Sequence, residues 1–285
     1  MKNFAIVTNL TKDPCRSYFN GIKNIIESCG CSCTASIFIS SDSENIYGKA
    51  DSDSIPENTE LIISLGGDGS FLHTAKDLID RNIPIVGVNL GNLGYLTEID
   101  ADGFKTAFTH IVEGEYRIEK RMVLKGSIIR SGKEIVSGIA INDIVLNRIG
   151  SMNIMDFDIM VNGSFLNSYS ADGYIISSPT GSTGYNLSAG GPVAHPEAGI
   201  IITTPICAHS LNSRSVVFSS DSTIEVLIKG RGSEGRSVKA LSFDGGREII
   251  LNNDDLIRVE KSEKVLNNLR LNKLSFVEHL GKKMR

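Results

Sequence analysis

The chain has 285 residues, of which 41% are hydrophobic and 22% are charged, and its formal net charge is -4. This length allows about two domains, and the composition is typical of a globular protein with a sizeable core. The acidic balance, without a long basic run, argues against binding to nucleic acid or to a membrane surface. We expect a cytoplasmic enzyme that acts on small molecules, because the first residues lack a signal-peptide pattern and no apolar run reaches membrane-spanning length.

The cysteines do not form a pattern typical of disulfides or of a zinc site. Their odd count argues against a disulfide framework. Cys29, Cys31 and Cys33 are crowded at alternate positions, and the second ligand pair of a zinc site is missing. We interpret them as small residues that lead into a strand, and we predict no metal ligands from the protein.

The first hundred residues alternate between strand and helix patterns. The predicted strands are 4–8, 33–39, Leu61–Leu65 and 84–88, and the predicted helices are 16–28 and 71–80. The polar stretch 40–59 is predicted to be rich in loops. Alternation of this kind favours a parallel sheet covered by helices, in which ligands bind beyond the carboxyl ends of the strands.

A glycine-rich turn, Gly66-Gly67-Asp68-Gly69-Ser70, follows the third predicted strand. Glycines let a nucleotide approach the main chain closely, and amide N–H groups at a helix start attract anions. Asp68 then lies where a reacting hydroxyl or a phosphate-bound metal would be. The alternative is a tight turn in which Asp68 or Ser70 only caps the next helix, but a cap does not require so many glycines.

After a predicted helix at Phe104–Glu113, the chain consists of short apolar segments separated by Gly, Asn and Ser. Met155–Val161 alternates between apolar and polar residues and ends at Asn162-Gly163, which predicts a hairpin. The alternation puts Asp156 and Asp158 on the solvent face. We therefore predict a second domain that is rich in antiparallel strands.

The predicted domains are an α/β domain over residues 1–100 and a β-rich domain over 101–269. A helical pattern near the end of the chain predicts that residues 270–285 complete the first domain.

The run 230–235 matches the dinucleotide-binding pattern G-x-G-x-x-G. The segment after it, 237–243, reads as a strand, so the helix N-terminus that this pattern needs is missing. We interpret the run as a hairpin loop between strands 223–228 and 237–243.

The segment 172–192 is nearly uncharged and dense in hydroxyls and small residues. A strand pattern at 174–177 and a helix start at 183–188 favour a loop that grips ribose and phosphate oxygens, rather than a linker. His209, which follows this segment, has no ligand partner at useful spacing and is interpreted as a structural histidine.

Asn142 and Asp143 interrupt the apolar run 139–146, which predicts two polar groups in a half-buried strand. A ligand or a hydrogen-bond network should satisfy them, because burial without partners costs about a few kcal/mol. A regular strand aims the two side chains to opposite faces, so both reach one ligand only at a strand end or bulge.

Together these segments resemble the NAD kinase family, whose members use ATP to phosphorylate the adenosine 2'-hydroxyl of NAD. The likeness covers most of the chain, and its motifs are 66–70, 91–96, Asn142-Asp143, 172–188, 204–214 and 242–245. The resemblance implies an α/β domain with a Rossmann-like parallel sheet, an all-β domain and an active site in the cleft between them. It also implies a homo-oligomer, a dimer or a tetramer.

The resemblance also implies roles for matching residues. Asp68 contacts the 2'-hydroxyl as its proton acceptor. The phosphate-binding set is Gly66, Gly67, Gly69 and Ser70. The NAD-binding set is Asp68, Gly69, His73, Tyr95, Leu96, Asn142, Asp143, Asp172, Thr183, Gly184, Tyr185, Asn186, Ser188 and Gly246. His73 is equally well explained as a histidine on a helix face. Mg²⁺ or another divalent cation accompanies ATP, since the glycine turn supplies no lysine.

Four positions depart from the usual family pattern. Asp143 stands where glutamate is common, and Gly246 stands where glutamine is frequent, which removes one side-chain contact from the NAD site. Gly184 replaces an alanine and Ala208 a proline. None of these changes touches Asp68.

Two other classes of protein share part of the pattern. Phosphofructokinases and diacylglycerol-type lipid kinases are similar at the glycine turn, but no apolar acyl pocket or arginine cluster is evident here. A non-catalytic NAD or nucleotide sensor would keep the binding loops and lose the carboxylate, whereas Asp68 is present.

Overall fold

The computed structural model describes residues 1–9, 13–39, 49–91, 94–150, 154–209, 213–230, 238–271 and 276–283. The α-helices are α1 (Asp13–Ser28), α2 (Asp68–Leu78), α3 (Phe104–Glu113), α4 (Tyr185–Ser188) and α5 (Phe276–Lys283). Short 3-10 helices span Ser52–Ser54, Ile79–Arg81, Ala101–Gly103 and Thr180–Thr183. Among the described residues, none of the helices combines the length and apolar character needed to cross a membrane.

The strands of the first part of the chain are β1 (Asn3–Thr8), β2 (Ser32–Ile39), β3 (Lys49–Ala50), β4 (Leu61–Leu65), β5 (Ile85–Asn89), β6 (Ile99–Asp100), β7 (Arg117–Arg130), β8 (Lys133–Ala140) and β9 (Asp143–Ile149). The remaining strands are β10 (Met155–Val161), β11 (Ser164–Ala171), β12 (Gly173–Ser177), β13 (Ile200–Ile206), β14 (Val216–Ser219), β15 (Ile224–Ile228), β16 (Val238–Phe243), β17 (Ile249–Leu251) and β18 (Leu256–Arg270).

The chain divides into two compact units, one formed by residues 1–120 with 265–285 and the other by 121–264. The sequence-based division at residue 100 separates α3 from the first unit, whereas the structure keeps it there. The physical reason is aromatic packing: Phe108 of α3 lies 5.0 Å from Phe4 of β1, measured between ring centroids, and both side chains are fully buried.

The first unit is built on a parallel sheet in the order β5-β4-β1-β2, as the alternating pattern predicted. The two-residue strand β3 is antiparallel at one edge, and β6 pairs in parallel with β5 at the other. The end of β18 also joins this edge, where Asn268 pairs with Ile85. Apolar residues of α1, α3 and the strands form its core, among them Phe4, Ile6, Ile22, Ile26, Phe104 and Phe108.

The second unit is all β. One sheet is antiparallel in the order β14-β13-β12-β9-β16-β17. A second layer contains β11-β10-β15-β18, and β7 pairs with both β18 and β8. The side chains of Phe157, Tyr169 and Tyr174 meet in the core with ring centroids 5.5 to 5.8 Å apart. The predicted combination of an α/β domain and an all-β domain is therefore confirmed.

The predicted hairpin at Asn162-Gly163 is confirmed. It joins β10 to β11, and both turn residues have positive φ, 51° and 78°, as the type I' turn requires. Asp156 and Asp158 are half-buried rather than fully exposed. They accept hydrogen bonds across the pair from Ser170 and Ser168.

The predicted hairpin around residues 230–235 is wrong. Strand β15 pairs with β10 and β18, whereas β16 pairs with β9 and β17 in the other sheet. Each strand already has its neighbours, so the connection crosses between sheets. Residues 231–237, which contain most of the G-x-G-x-x-G run, lie outside the described part of the chain.

Candidate active site

The glycine turn joins β4 to α2, and its first glycine is sterically required. Gly66 is buried and has a φ of +148°, and an ideal Cβ there would lie 2.4 Å from Oγ of Ser70. Gly67 is the N-cap residue of α2 and provides no side-chain cap. The helix starts at Asp68, three residues earlier than predicted. Asp68 therefore occupies the first helical turn, at the positive end of the helix dipole.

The Asp68 carboxylate is held by a second segment of the same unit. Its Oδ2 atom accepts a hydrogen bond from the amide of Tyr95 at 2.7 Å. Its Oδ1 atom accepts bonds from the amides of Leu96 at 3.1 Å and Thr97 at 3.2 Å, and from the Thr97 hydroxyl at 3.3 Å. The carboxylate therefore holds the 95–97 segment instead of capping its own helix.

Gly94 leaves room for this contact. An ideal Cβ on Gly94 would lie only 1.8 Å from Oδ1 of Asp68. The Gly94 amide donates to the Thr97 hydroxyl oxygen at 3.0 Å. Thr97 is fully buried, and sequence reasoning missed it; the only signal was a hydroxyl residue directly after the Tyr95-Leu96 pair.

The other predicted residues around the turn differ in exposure. Gly67 and Gly69 are exposed, while Ser70 and His73 are half-buried on the first turns of α2. Tyr95 is half-buried and Leu96 is 3% exposed, so Leu96 offers the site its backbone rather than its side chain.

In the second unit, the Asn142-Asp143 pair lies at a strand end and not inside a strand, which corrects the prediction of a continuous strand through 139–146. Strand β8 ends at Ala140 and β9 starts at Asp143. The Asp244 carboxylate caps the break by accepting bonds from the amides of Ile141, Asn142 and Asp143 at 2.9, 2.7 and 3.2 Å. Ile141 and Asn142 lie outside both strands, so Asp244 gives their amides the acceptor that no strand provides there, and the chain can leave one strand and begin the next.

Asp143 is 5% exposed and lies beside Asp244. Burial, and to a smaller extent the Asp244 charge, raise the pKa of the Asp143 carboxyl to about 7. The Oδ1 atom of Asn142 is buried without a hydrogen-bond partner among the described residues. The site therefore contains an unused acceptor next to a carboxyl group that titrates near neutrality.

These residues line a cavity of about 390 Å³ within the second unit. Its walls include Asn142, Asp143, Asn147, Tyr185, Ser242, Asp244, Gly245, Gly246 and Glu248. The cavity brings together the predicted residues Asn142, Asp143, Tyr185 and Gly246. Asp244 was not among the predicted site residues, although Ser242-Phe243-Asp244-Gly245 carried part of the resemblance.

The segment 172–192 forms strand β12 followed by short helical turns. Several of its hydroxyls serve the protein itself: Ser178 donates to the carbonyl of Ile141 at 2.5 Å, and Ser182 donates to the carbonyl of Pro179 at 2.7 Å. Fully buried Asn186 donates to the carbonyl of Pro192 and accepts from the Thr204 hydroxyl. The structure thus ties Asn186 into a network of the loop.

The remaining predicted residues of this segment are more accessible. Thr183 and Gly184 are half-buried, whereas Tyr185 and Ser188 are exposed. Asp172 accepts a hydrogen bond from Nε of Arg148 at 2.7 Å, and this bond lowers the pKa of its carboxyl. Arg148 is a further residue that sequence reasoning missed.

The remaining candidate groups are one histidine, the cysteines and an acidic cluster. His209 is exposed, and its amide donates to the Ser170 carbonyl. All five cysteines are free thiols. Within the described residues, His110, Glu113 and Glu115 have ligand atoms within 4.8 Å of one another. Both glutamates are exposed at the end of α3, and exposed acidic groups of this kind are common without a metal ion, so we do not interpret the cluster as a metal site.

Comparison with known proteins assigns the family. Residues 27–116 match the ATP-NAD kinase N-terminal domain, and residues 141–271 match the ATP-NAD kinase C-terminal domain. The chain is 41% identical over 297 residues to an NAD kinase of Lachnospira eligens, covering 100% of both chains. It is 38% identical over 285 residues to an NAD kinase of Lachnoclostridium phytofermentans, covering 99% of both.

Solved structures agree in fold. Yeast NADH kinase in complex with NADH superposes with a TM-score of 0.85 at 24% identity, covering 100% of this chain and 87% of that one. An NAD kinase from Archaeoglobus fulgidus in complex with ATP gives a TM-score of 0.75 at 25% identity, with 98% of each chain covered. The family models and the full-length relatives lead to the same conclusion as the sequence motifs: the chain belongs to the NAD kinase family.

Proposed function

We propose that Asp68 accepts the proton of the adenosine 2'-hydroxyl when ATP phosphorylates NAD to give NADP. ATP-dependent phosphorylation of NAD is the activity of the family to which the chain belongs. The observation that carries the role of Asp68 is its carboxylate, fixed by the amides of residues 95–97 at the start of α2. A fixed carboxylate beside a helix N-terminus brings a proton acceptor next to an anion-binding position.

The chemistry makes modest demands on this base. Phosphoryl transfer passes through a loose transition state, so the protein mainly aligns donor and acceptor and neutralises charge. The 2'-oxygen forms a bond to the γ-phosphorus, the bond to the bridging oxygen breaks, and ADP leaves. Asp68 orients the hydroxyl and receives its proton late, because a ribose hydroxyl is not ionised beforehand.

For the phosphates, we propose the exposed backbone of Gly67 and Gly69 and the hydroxyl of Ser70, with Gly66 fixing the turn. Each lies at the N-terminal end of α2, where free amide donors and the helix dipole favour anions. Half-buried His73 lies in the same helix and is a second candidate contact for a phosphate.

For charge neutralisation, we propose Mg²⁺ or another divalent cation bound to ATP. Residues 66–70 contain no lysine or arginine. Mg²⁺ usually keeps several waters and binds through substrate phosphates with few protein ligands. The turn fits such a cation, since the exposed residues Gly67 and Gly69 have no side chains and leave room for a hydrated ion held by the phosphates. When bound, the cation offsets the charge that develops on the transferred group.

For NAD, we propose the cavity around Asn142 and Asp143. The unused Oδ1 of Asn142 is an acceptor for a ribose hydroxyl, and the Asp143 carboxyl can donate or accept near neutral pH. Tyr185 is 44% exposed at the cavity wall and offers a ring face for a base. Gly246, where the family often has glutamine, leaves that part of the wall without a side chain.

For the predicted residues outside this wall, we propose contacts with other parts of NAD. Asp172 binds the nicotinamide amide region. The backbone of Thr183, Gly184, Asn186 and Ser188 binds the adenine and ribose. Within the first unit, Tyr95 and Leu96 are proposed as NAD contacts beside Asp68, whose carboxylate accepts from their amides.

We also propose a cytoplasmic homo-oligomer, a dimer or a tetramer, on the basis of the family resemblance alone. Light scattering coupled to size-exclusion chromatography measures the assembly directly. A mass equal to one chain of 30.8 kDa would contradict it.

The test is an assay of purified protein with NAD and Mg-ATP, in which NADP is measured with an NADP-specific dehydrogenase. Asp68→Asn keeps the shape of the side chain and removes the proton acceptor, so we expect kcat to fall by about a thousandfold or more. Asp100→Asn, which changes an exposed carboxylate in the same unit, is the control and should retain activity.

Wild-type-like turnover of Asp68→Asn would remove Asp68 from the catalytic role. Phosphorylation of a diacylglycerol or sugar phosphate, without NADP formation, would favour the lipid-kinase or sugar-phosphate-kinase alternative. Binding of NAD without any turnover would favour the sensor.

A further inference from the structure

We propose that Thr97 is a positioning residue for the phosphoryl transfer, and that its hydroxyl holds Asp68 so that Oδ2 is the oxygen that receives the 2'-hydroxyl proton. This inference rests on the proposed role of Asp68 as proton acceptor. It adds a residue from outside the glycine turn and assigns separate roles to the two oxygens of one carboxylate.

The two oxygens of Asp68 have unequal surroundings. Oδ1 accepts three hydrogen bonds, from the amides of Leu96 and Thr97 and from the Thr97 hydroxyl. Oδ2 accepts one, from the Tyr95 amide. An ionised carboxylate offers about two lone-pair sites on each oxygen. Oδ1 is therefore saturated, whereas Oδ2 retains a site for a substrate hydroxyl.

The Thr97 hydroxyl has a fixed direction. Its oxygen accepts from the Gly94 amide at 3.0 Å, and its single proton is then available for Oδ1 of Asp68 at 3.3 Å. The direction of these two hydrogen bonds is fixed, from the Gly94 amide to the Thr97 hydroxyl and from that hydroxyl to Asp68, because a backbone N–H group can only donate. The hydroxyl therefore cannot compete with the substrate for the proton that Asp68 receives.

Packing fixes the Thr97 side chain as well. Thr97 is fully buried, and its Cγ2 atom would lie 2.9 Å from a Cβ built on Gly87 of β5. The next residue, Glu98, donates its amide to the Gly87 carbonyl at 3.0 Å and forms an ion pair with Arg270 at 2.7 Å. A β-branched side chain between such neighbours has little rotamer freedom, so the hydroxyl is preorganised.

During transfer, the proton passes from the 2'-hydroxyl to Oδ2 as the bond between the 2'-oxygen and the γ-phosphorus forms. The bond from the γ-phosphorus to the bridging oxygen breaks, and ADP leaves with that electron pair. The proton on Oδ2 is later released to solvent. Rotation of the carboxylate would exchange its oxygens, and the donors on Oδ1 oppose that rotation.

Two matched pairs of variants separate the hydroxyl from the methyl group. Thr97→Val keeps the shape of the wild-type side chain and loses the hydroxyl. Thr97→Ala and Thr97→Ser both lose the methyl group and differ from each other in the hydroxyl. Each variant is measured for kcat, for KM of NAD and of ATP, and for thermal unfolding.

We expect Thr97→Val to lower kcat by about tenfold with KM for both substrates within about twofold of wild type. We expect Thr97→Ser to exceed Thr97→Ala in kcat by a similar factor. Equal kcat for Thr97→Val and wild type, or for Thr97→Ser and Thr97→Ala, would overturn the proposal, as would a change confined to KM.

A Thr97→Val protein that does not fold leaves the Ser and Ala pair to decide. The role of Asp68 is tested separately. An active Asp68→Asn variant would show that Asp68 is not the proton acceptor. An inactive Asp68→Asn variant combined with a fully active Thr97→Val variant rejects only the role of Thr97.

Discussion

Asp68 and Asp143 each start an element directly after a turn, but the backbone amides around them are distributed differently. Asp68 starts α2 and receives the amides of Tyr95, Leu96 and Thr97. Asp143 starts β9, and there the amides of residues 141–143 go to a neighbour, Asp244. The same residue type is thus surrounded by donors in one unit and left beside another carboxylate in the other.

The difference shows that backbone amides decide what a carboxyl group can do. Among the described residues, no donor bonds to the Asp143 side chain, and burial next to Asp244 raises its pKa to about 7. This makes Asp143 suited to exchange hydrogen bonds with a neutral ligand. Asp68, fixed by four hydrogen bonds, is suited to hold one orientation toward a reacting group.

Of the three variants that test this comparison, Gly94→Ala is expected to have the largest effect, because it breaks the support of Asp68. The added Cβ would overlap Oδ1 of Asp68 at 1.8 Å, so the carboxylate must move. We expect kcat to fall by about a hundredfold, since small displacements of catalytic groups cost rates of this order. Gly103→Ala is the matched control, because nothing lies within 4 Å of its added Cβ. Equal activity of the two variants would contradict the role of Gly94.

A smaller effect is expected from Asp244→Asn, which changes the group that accepts hydrogen bonds from the amides of residues 141–143. One side-chain oxygen is replaced by a donor, so at least one buried amide of the 141–143 turn loses its acceptor. We expect the free energy of unfolding to fall by about 1 to 2 kcal/mol near pH 5, measured by urea denaturation.

Asp254→Asn is the control for Asp244→Asn, because both residues have positive φ, 66° and 53°, and Asp254 is exposed. A loss of equal size in both variants would point to the backbone conformation instead of the lost acceptor.

The smallest effect is expected from Asp143→Asn, which tests the environment of Asp143 directly. The quantity measured is the free energy of unfolding as a function of pH. The pKa of folded Asp143 is about 7, above its unfolded value of about 3.9. Between these values the folded state holds the proton more tightly, so this group makes the wild type less stable as the pH rises. Asparagine does not titrate. Relative to wild type, the variant should gain about 1 kcal/mol of unfolding free energy between about pH 6 and pH 7.

The control for Asp143→Asn is Asp100→Asn, an exposed site. A stability difference between Asp143→Asn and wild type that does not change with pH would show that Asp143 is ionised throughout this range.

Sequence reasoning predicted the elements that depend on neighbouring residues. The strand–helix alternation, the Asn162-Gly163 hairpin and the glycine turn at residues 66–70 all follow from local pattern and turn chemistry. It also identified Asn142 and Asp143 as polar residues that interrupt an apolar run, but it put the pair inside a strand instead of at a strand end. The acceptor that allows the strand to end there is Asp244, about a hundred residues away in the chain, and no periodicity reveals it.

The sequence by itself determined the family, the two kinds of domain and the presence of a carboxylate in a glycine-rich turn. Only the tertiary structure decided which groups surround that carboxylate: Gly94, whose missing side chain makes room, and Thr97, whose hydroxyl donates to it. The reason is that hydrogen bonds between residues far apart in the chain depend on how the strands are ordered in the sheet. Local sequence patterns specify a strand or a turn, but they do not specify which distant amide will face it.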